Sequence, residues 1–414
     1  MKHVRKTIFW CHLLAGVIAG VVILIMSVTG ALLAFAPQIT RYVERDMRVV
    51  QPPQGEARRL GTQELFAKLR EARPNAKPTE ITIQFNPSEA ASFSLGRDGV
   101  LYINPYTGAV TGEGAKKNRS FFRFIEDCHR QLGANGDNRP MGKAITGFCN
   151  AAFLILATTG LYIWWPRKFS LQHLKAITIF NFRLKGKARD FNWHNSIGFW
   201  CAPVLIFLTG TGVIISYQWA SDLLYALTRS EKPAQQSVPS RSKQETINNA
   251  QRLGPGESGL NDEQPEIPDN LDQLWQRTEQ QVAGWRAINL RLPQRAGAPI
   301  SVSIDEGTSW NPFARSQLTL NSTTAEVIKW EPYANFNLGR TLRVWVRATH
   351  TGEAAGLPGQ IIACIASLGG GFLVWTGLSL AWRRFRAWLT KWSSKQTKAN
   401  AQPDMELVPE ANAD

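Results

Sequence analysis

Four stretches of the chain are almost purely apolar, and they divide the rest into polar segments. They cover residues 9–36, 145–165, 197–217 and 361–382. At about 1.5 Å of rise per residue, each is long enough to cross a hydrocarbon core of about 30 Å as a helix. A soluble helix of that length carries a polar stripe. These carry none, so the pattern predicts four membrane spans. The first resembles a signal peptide, with basic residues before it and Ala34-Phe35-Ala36 at its end. Its apolar region is too long for one, and we read it as an uncleaved helix.

The polar segments have patterns of their own. In the first insertion (37–143), residues 62–72 read as a short amphipathic helix. Residues 80–85, 91–95 and 100–103 alternate as strands, and the last runs into a Pro/Gly turn that predicts a hairpin. A second helix is predicted over 119–132, broken by 133–140 before span two. The second insertion (218–357) opens with a Ser-, Pro- and Gln-rich excursion over 229–270, expected to be mobile. The helix-then-sheet order then returns, with a helix over 271–283 and strands over 287–292, 300–304, 317–320 and 327–330. The expected architecture is an α-helical membrane protein with α+β insertions. Its segments are span one (1–36), span two (144–166), a basic loop (167–193), span three (194–217), span four (358–382) and a polar tail (383–414), disordered after Lys395.

Charge orients the spans. The net charge of +15 at first suggests a nucleic-acid partner. The cations, however, gather before span one, between spans two and three, and after span four, whereas both long insertions are mixed in sign. The positive-inside rule then places both termini and the short loop in the cytoplasm and both insertions outside, in the periplasm if the membrane is a bacterial inner membrane. Lipid is the partner this implies, and nucleic acid is excluded. The five cysteines lie mostly in or beside the spans and form neither a disulfide framework nor a CxxC pair.

The two halves repeat each other. Span one reads His12-x-x-x-Gly16 and then Thr29-Gly30, and span three reads His194-x-x-x-Gly198 and then Thr211-Gly212, at identical spacing. Span two opens with Pro140-Met141-Gly142 and closes with Thr159-Gly160. Span four opens with Pro358-Gly359 and closes with Thr376-Gly377, again with matched spacing from Gly142 and Gly359. His129 and His350 stand upstream of spans two and four. Thr and Gly are common in membrane helices, but four matched Thr-Gly pairs with histidines at equivalent points indicate tandem duplication. Each half begins and ends on the same side, so the repeats are parallel and their pseudo-two-fold axis runs along the membrane normal.

The duplication turns four of the six histidines into pairs, His12 with His194 and His129 with His350; His3 and His173 lack a repeat partner. Two imidazoles related by an axis offer one nitrogen each to a shared ion. Zinc wants four ligands, or three and a water, and suits such a site poorly. Haem brings four equatorial nitrogens and needs only axial imidazoles. Gly16 and Gly198 follow their histidines on the same helical face, where the missing side chain admits a flat macrocycle; simple helix packing accounts for these two glycines equally well. Arg123, Arg130, Arg343 and Arg347 near the outer pair suit haem propionates and lipid phosphate alike. The cofactor expectation is two bis-histidine b-type haems, with His12, His194, His129 and His350 as axial ligands. Filled axial positions point to electron transfer rather than oxygen chemistry. The one G-x-G-x-x-G, from Gly254 to Gly259, lies in the polar excursion, follows no strand and opens no helix, so a nucleotide fold is not indicated. Electrons must come from outside the chain, from membrane quinol or a cytoplasmic reductase. No catalytic residue is assigned.

His12-x-x-x-Gly16, the Thr159-Gly-Leu-Tyr-Ile-Trp-Trp-Pro-Arg167 ending of span two and Arg347-Ala-Thr-His350-Thr-Gly352 together resemble the PepSY-associated transmembrane family. Tyr102-Ile-Asn-Pro-Tyr-Thr-Gly-Ala-Val-Thr-Gly112 resembles the closing hairpin of a PepSY domain, with Asn104 where an acidic residue is usual, and the second insertion fits that pattern loosely. The resemblance covers nearly the whole chain outside the polar excursion and the tail. It implies a bacterial inner-membrane di-haem ferrisiderophore reductase that reduces siderophore-bound Fe(III) at the periplasmic face. Two other readings stand beside it: a non-enzymatic PepSY membrane protein that binds an envelope partner, and a subunit that transports iron or a siderophore.

Overall fold

The computed structural model describes residues 2–54, 58–165, 170–233 and 267–400, apart from 283, 294, 296, 308 and 309. In chain order the helices are α1 (Lys2–Leu33), α2 (Ala36–Val43), α3 (Arg45–Arg48), α4 (Thr62–Ala72), α5 (Lys116–Gln131) and α6 (Arg139–Trp164). They continue as α7 (Leu171–Thr178), α8 (Gly186–Ser216), α9 (Gln218–Leu227), α10 (Leu271–Gln281), α11 (Leu338–His350) and α12 (Gly356–Asn400). The strands are β1 (Glu80–Gln84), β2 (Ala91–Ser94), β3 (Val100–Ile103), β4 (Val110–Glu113), β5 (Ala287–Arg291), β6 (Ile300–Asp305), β7 (Ser316–Leu320) and β8 (Val327–Glu331). The chain forms two units, one of residues 1–31, 128–210 and 363–414, the other of 32–127 and 211–362.

Four helices are long and apolar enough to cross a membrane, over His3–Leu33, Gly136–Trp164, Gly186–Ser216 and Glu353–Ser394. The protein is thus a helical membrane protein with α+β insertions. Each helix begins before its apolar stretch, because a nucleated helix gains a hydrogen bond with every residue added, and the last also runs past the end of its stretch. The effect is largest in α12, which is helical through Asn400 rather than ending at Lys395; Lys, Gln and Ala there are good helix formers.

In the first unit, several polar groups within the apolar helices are matched to partners. Asn150, buried in α6, donates to the Thr209 carbonyl at 2.9 Å. At the end where the chain begins, Arg5 donates to the carbonyls of Ile163 and Trp165, which the end of α6 leaves without helical partners. Glycine permits close packing at Gly370, where a Cβ would lie 3.0 Å from Ser27 Oγ and 3.1 Å from Phe153 Cζ. At Gly369 a Cβ would collide with Cys201 Sγ. The five cysteines are free thiols.

The second unit is built on one antiparallel sheet of order β4-β3-β2-β1-β5-β6-β7-β8. Each polar insertion supplies four consecutive strands, and the two sets meet where β1 pairs with β5. The register sets Ile81 opposite Leu290, Thr82 opposite Asn289 and Ile83 opposite Ile288. Equivalent strands of a duplication pair with each other about a local dyad at Thr82 and Asn289, whose side chains bond at 3.0 Å. Alternation along the strands gives a buried face of Ile81, Phe93, Leu101, Ile288, Val302 and Leu318. Phe66 and Leu69 of α4 and Leu274 and Trp275 of α10 complete this core. The second repeat also caps a helix of the first. Asp272 at the start of α10 accepts from Thr62 Oγ1 at 2.7 Å and from Gln63 N–H at 2.9 Å, in the first turn of α4.

The outer hairpins show the duplication most closely. Asn104 accepts from Tyr106 N–H through its side chain, and its carbonyl accepts from Gly108, which lies at φ +70. Asn321 accepts from Thr323 N–H in the same manner, and its carbonyl accepts from Ala325, at φ +56. The second turn fits the family pattern loosely because Ala stands where Gly is wanted; the backbone adopts the left-handed conformation all the same, at a cost of about 1–2 kcal/mol. Asn104 makes the side-chain bond that an aspartate would make.

Helices α2, α3, α7, α9 and α11 are absent from the sequence expectations; α7 lies in the stretch expected as a basic loop. Most are too short for periodicity to declare them; α11 opens behind the break at Pro332, at Asn337, whose side chain accepts from Arg340 N–H at 2.9 Å. Most of the excursion expected over 229–270 lies outside the described residues. Glu44, between α2 and α3, is fully buried. It accepts from Arg119 Nε at 2.5 Å, Tyr102 Oη at 2.8 Å and Ala115 N–H at 2.8 Å. Burial pushes its carboxyl up, but these donors outweigh that and hold it below the usual carboxylate range.

Two outcomes are expected. Ala325→Gly stabilises the protein by about 1 kcal/mol and Gly108→Ala destabilises it by a similar amount, read as opposite shifts in the unfolding temperature in detergent. Because Glu44 has the lower value when folded, its contribution is full above the unfolded carboxylate value of about 4.3 and is lost as pH falls through the folded value. Wild-type stability should therefore fall steeply between about pH 5 and pH 3, and Glu44→Gln should start lower and fall less.

Candidate functional site

Within the membrane unit, α1, α6, α8 and α12 enclose a cavity of about 430 Å³. Helical spacing brings its walls together. From α1 come His12, Gly16 and Gly20, four residues apart on one face, and from α8 come His194, Gly198, Ala202 and Leu205. Gly160 and Trp164 of α6 and Gly377 of α12 complete the polar end, and Leu156, Leu373 and Val374 are among the apolar walls. The volume falls within the range of about 300–1,000 Å³ typical of small-ligand sites. Four residues predicted from sequence, His12, His194, Gly16 and Gly198, thus share one space. His129 and His350 do not line it; the first belongs to the membrane unit and the second to the sheet unit.

Every histidine of the duplicated set is held by a threonine of a Thr-Gly pair. His12 Nδ1 lies 2.9 Å from Thr159 Oγ1, and His194 Nδ1 lies 2.9 Å from Thr376 Oγ1. His129 Nδ1 lies 3.0 Å from Thr29 Oγ1, and His350 Nδ1 lies 3.2 Å from Thr211 Oγ1. The glycine after the threonine makes room for the ring. A Cβ at Gly30 would stand 3.2 Å from His129 Cε1, one at Gly377 3.4 Å from His194 Cε1, and one at Gly160 3.5 Å from His12 Cε1.

These contacts decide the tautomer. A hydroxyl has one proton, and Thr159 and Thr376 place theirs on the carbonyl four residues back, at 2.7 and 2.8 Å. Toward histidine each oxygen is left to accept, so Nδ1 carries hydrogen and Nε2 keeps its lone pair. Thr29 does the same toward Ile25 O at 2.6 Å. At His129 the Met26 carbonyl adds an independent constraint, since it lies 3.0 Å from Nδ1 and can only accept. A neutral imidazole with Nδ1–H tied to an oxygen and Nε2 open is the form that binds metal, and the tie raises its basicity.

The cavity separates the two explanations of glycine. If Gly16 and Gly198 served helix packing, an added Cβ would strike a neighbour. Instead it would meet only Leu156 at 3.9 Å and Leu373 at 3.6 Å, ordinary contacts, unlike Gly369 and Gly370. Their bare faces widen the cavity. Among the described residues no three His, Cys, Asp or Glu side chains gather as a ligand set, so the donors present do not make a zinc site. Two imidazoles in a largely apolar cavity fit a group that brings its own equatorial ligands, as haem does. One further observation supports an amphiphilic occupant: the buried indole N–H of Trp164, in the cavity wall, has no acceptor among the described residues.

In the sequence the Thr-Gly pairs mark only the duplication; the fold joins them to the histidines. The signal lay in their number, four of each at fixed spacing. Near His350, Arg347 lies with its guanidinium 4.6 Å from the centre of the Phe313 ring.

A protein-family model described as PepSY-associated TM region matches residues 9–384. A comparison with curated proteins finds none that matches.

The glycine contrast predicts a stability difference. Gly16→Ala and Gly198→Ala should raise the stability of the ligand-free protein by about 0.5–1 kcal/mol each, through helix propensity. Gly369→Ala should lower it by about 1–3 kcal/mol through overpacking. Thermal unfolding of the three variants in detergent checks both signs.

Proposed function

The chain belongs to the PepSY-associated TM region family, and from that premise we propose that it is a di-haem membrane reductase that delivers electrons to a ferric siderophore. The observation that carries this reading is the shared cavity of His12 and His194, in which each imidazole is held through Nδ1 and leaves Nε2 for a metal. His12 and His194 would hold one b-type haem. His129 and His350 are proposed as ligands of the second, on the strength of the repeat and of the same bond to threonine. When bound, a bis-imidazole haem supplies one-electron transfer without an open site for oxygen.

The chain's own residues do the rest. The threonine hydroxyls fix ring orientation and tautomer, so ligation does not have to select a conformer. Gly16 and Gly198 leave the cavity wide, and Leu156, Leu373 and Val374 keep water from it. The reaction is a one-electron reduction of Fe(III) to Fe(II). The electron would come from membrane quinol or a cytoplasmic reductase, since no hydride-accepting fold stands among the described residues. Fe(III) is held tightly by hard oxygen donors, so its reduction loosens the chelate and releases iron. The cationic residues flanking the spans support an inner-membrane topology with both termini cytoplasmic and both insertions periplasmic.

A reduced-minus-oxidised spectrum of the purified protein tests the cofactor. Haem bands should appear in the wild type, with part of the signal lost in His12→Ala and a different part in His350→Ala. A colourless wild type, after expression with ample haem, sinks the proposal. Thr376→Val should raise the midpoint potential of one haem by on the order of 20–60 mV, because the lost bond makes the imidazole a weaker donor; Thr376→Ser should restore it. The substrate is tested in liposomes: protein that ferric hydroxamates and catecholates both fail to reoxidise is not a ferrisiderophore reductase.

A further inference from the structure

We propose that the cavity of His12 and His194 ends in an anion subsite formed by Lys187, Arg384 and the indole N–H of Trp164. The subsite seats the haem one way round, with its carboxylates toward the end of the bundle where the chain begins. This inference rests on the haem reading above and deepens it.

The charges of the cavity wall are of one sign. Most of it is aliphatic or aromatic, and the charged side chains among its described residues are Lys187 and Arg384, both cations. No Asp or Glu joins them there. Lys187 stands at the start of α8, seven residues before His194 and therefore on the same helical face, about 10 Å away along the axis. Arg384 stands on α12, eight residues beyond Thr376, the partner of His194. Its guanidinium lies 5.1 Å from the Phe9 ring centre and 4.6 Å from that of Trp10, near the start of α1. Both cations thus lie toward one end of the cavity.

Cations at the end of a span are expected on grounds of membrane topology alone, and lipid phosphate suffices for most of them. Two neighbours show the difference. Arg189 and Arg383 serve the buried carboxylate of Asp190, at 2.9 and 3.4 Å. Lys187 and Arg384, one or two residues away, line the cavity instead. Trp164 adds a donor that topology does not explain. Its ring is stacked 4.5 Å from that of Phe199, which fixes it, and its buried N–H has no acceptor among the described residues. Two cations and an unmatched N–H at one end of an apolar slot are complementary to a flat apolar body with carboxylates at one edge.

The test is a titration of full-length apo-protein, produced in haem-starved cells, with protohaem and with its dimethyl ester, which lacks the two charges. The wild type should bind protohaem about fivefold or more tighter than the diester, as expected for partly exposed ion pairs. The K187Q/R384Q double variant should bind the diester as the wild type does and lose most of that preference. R384K, which keeps the charge, should retain it. If the double variant keeps the wild-type preference, or if R384K loses as much of it as the double variant does, the subsite is overturned while the haem reading stands. If the wild type binds neither compound, the haem reading falls and the subsite falls with it.

Discussion

An imidazole placed against hydrocarbon has no water to complete its hydrogen bonds, and this structure meets that constraint in the same way four times. Each histidine of the duplicated set bonds through Nδ1 to the hydroxyl of a threonine in a membrane span. The threonine can accept because its own proton goes back to its helix, as seen at Thr29, Thr159 and Thr376. One small side chain thereby satisfies two needs that bare lipid would leave unmet. The following glycine lets the ring lie against the helix. Ring orientation, tautomer and an exposed Nε2 all follow from this arrangement.

The same bonds define what a repeat is. His12 reaches the end of span two while His129 reaches the end of span one, so the first half is tied at two points by reciprocal contacts. His194 with Thr376 and His350 with Thr211 do the same in the second half. All four bonds thus lie within a half. The sheet uses the duplication differently. There the halves join directly, β1 against β5, and a pair of four-stranded pieces becomes a single sheet. Fusing them covers one edge of each piece, and an uncovered edge invites pairing with other chains.

Glycine plays two roles among the spans, and their geometry separates them. Gly369 and Gly370 meet Cys201, Ser27 and Phe153 so closely that no larger residue fits without movement. Gly16 and Gly198 meet almost nothing, and what they leave open is the cavity. Composition treats all four alike, because both roles use the same residue in the same kind of helix.

What the sequence determined by itself was whatever depends on local pattern. Length and hydropathy gave the four spans, alternation gave seven of the eight strands, the turn after β3 implied the remaining one, helical spacing gave α4 at its observed bounds, and recurrence gave the duplication and the four histidines. These are properties of short windows or of self-comparison. The tertiary structure decided the partners: which threonine holds which histidine, across 100 to 182 residues of chain, and that both insertions share a sheet. It also decided that Gly16 and Gly198 border a cavity, and that Trp164, Lys187 and Arg384 stand at one end of it. Threonine and glycine look alike wherever they occur in a membrane helix. Only the packing of one helix on another shows which hydroxyl meets an imidazole and which bare face is left open.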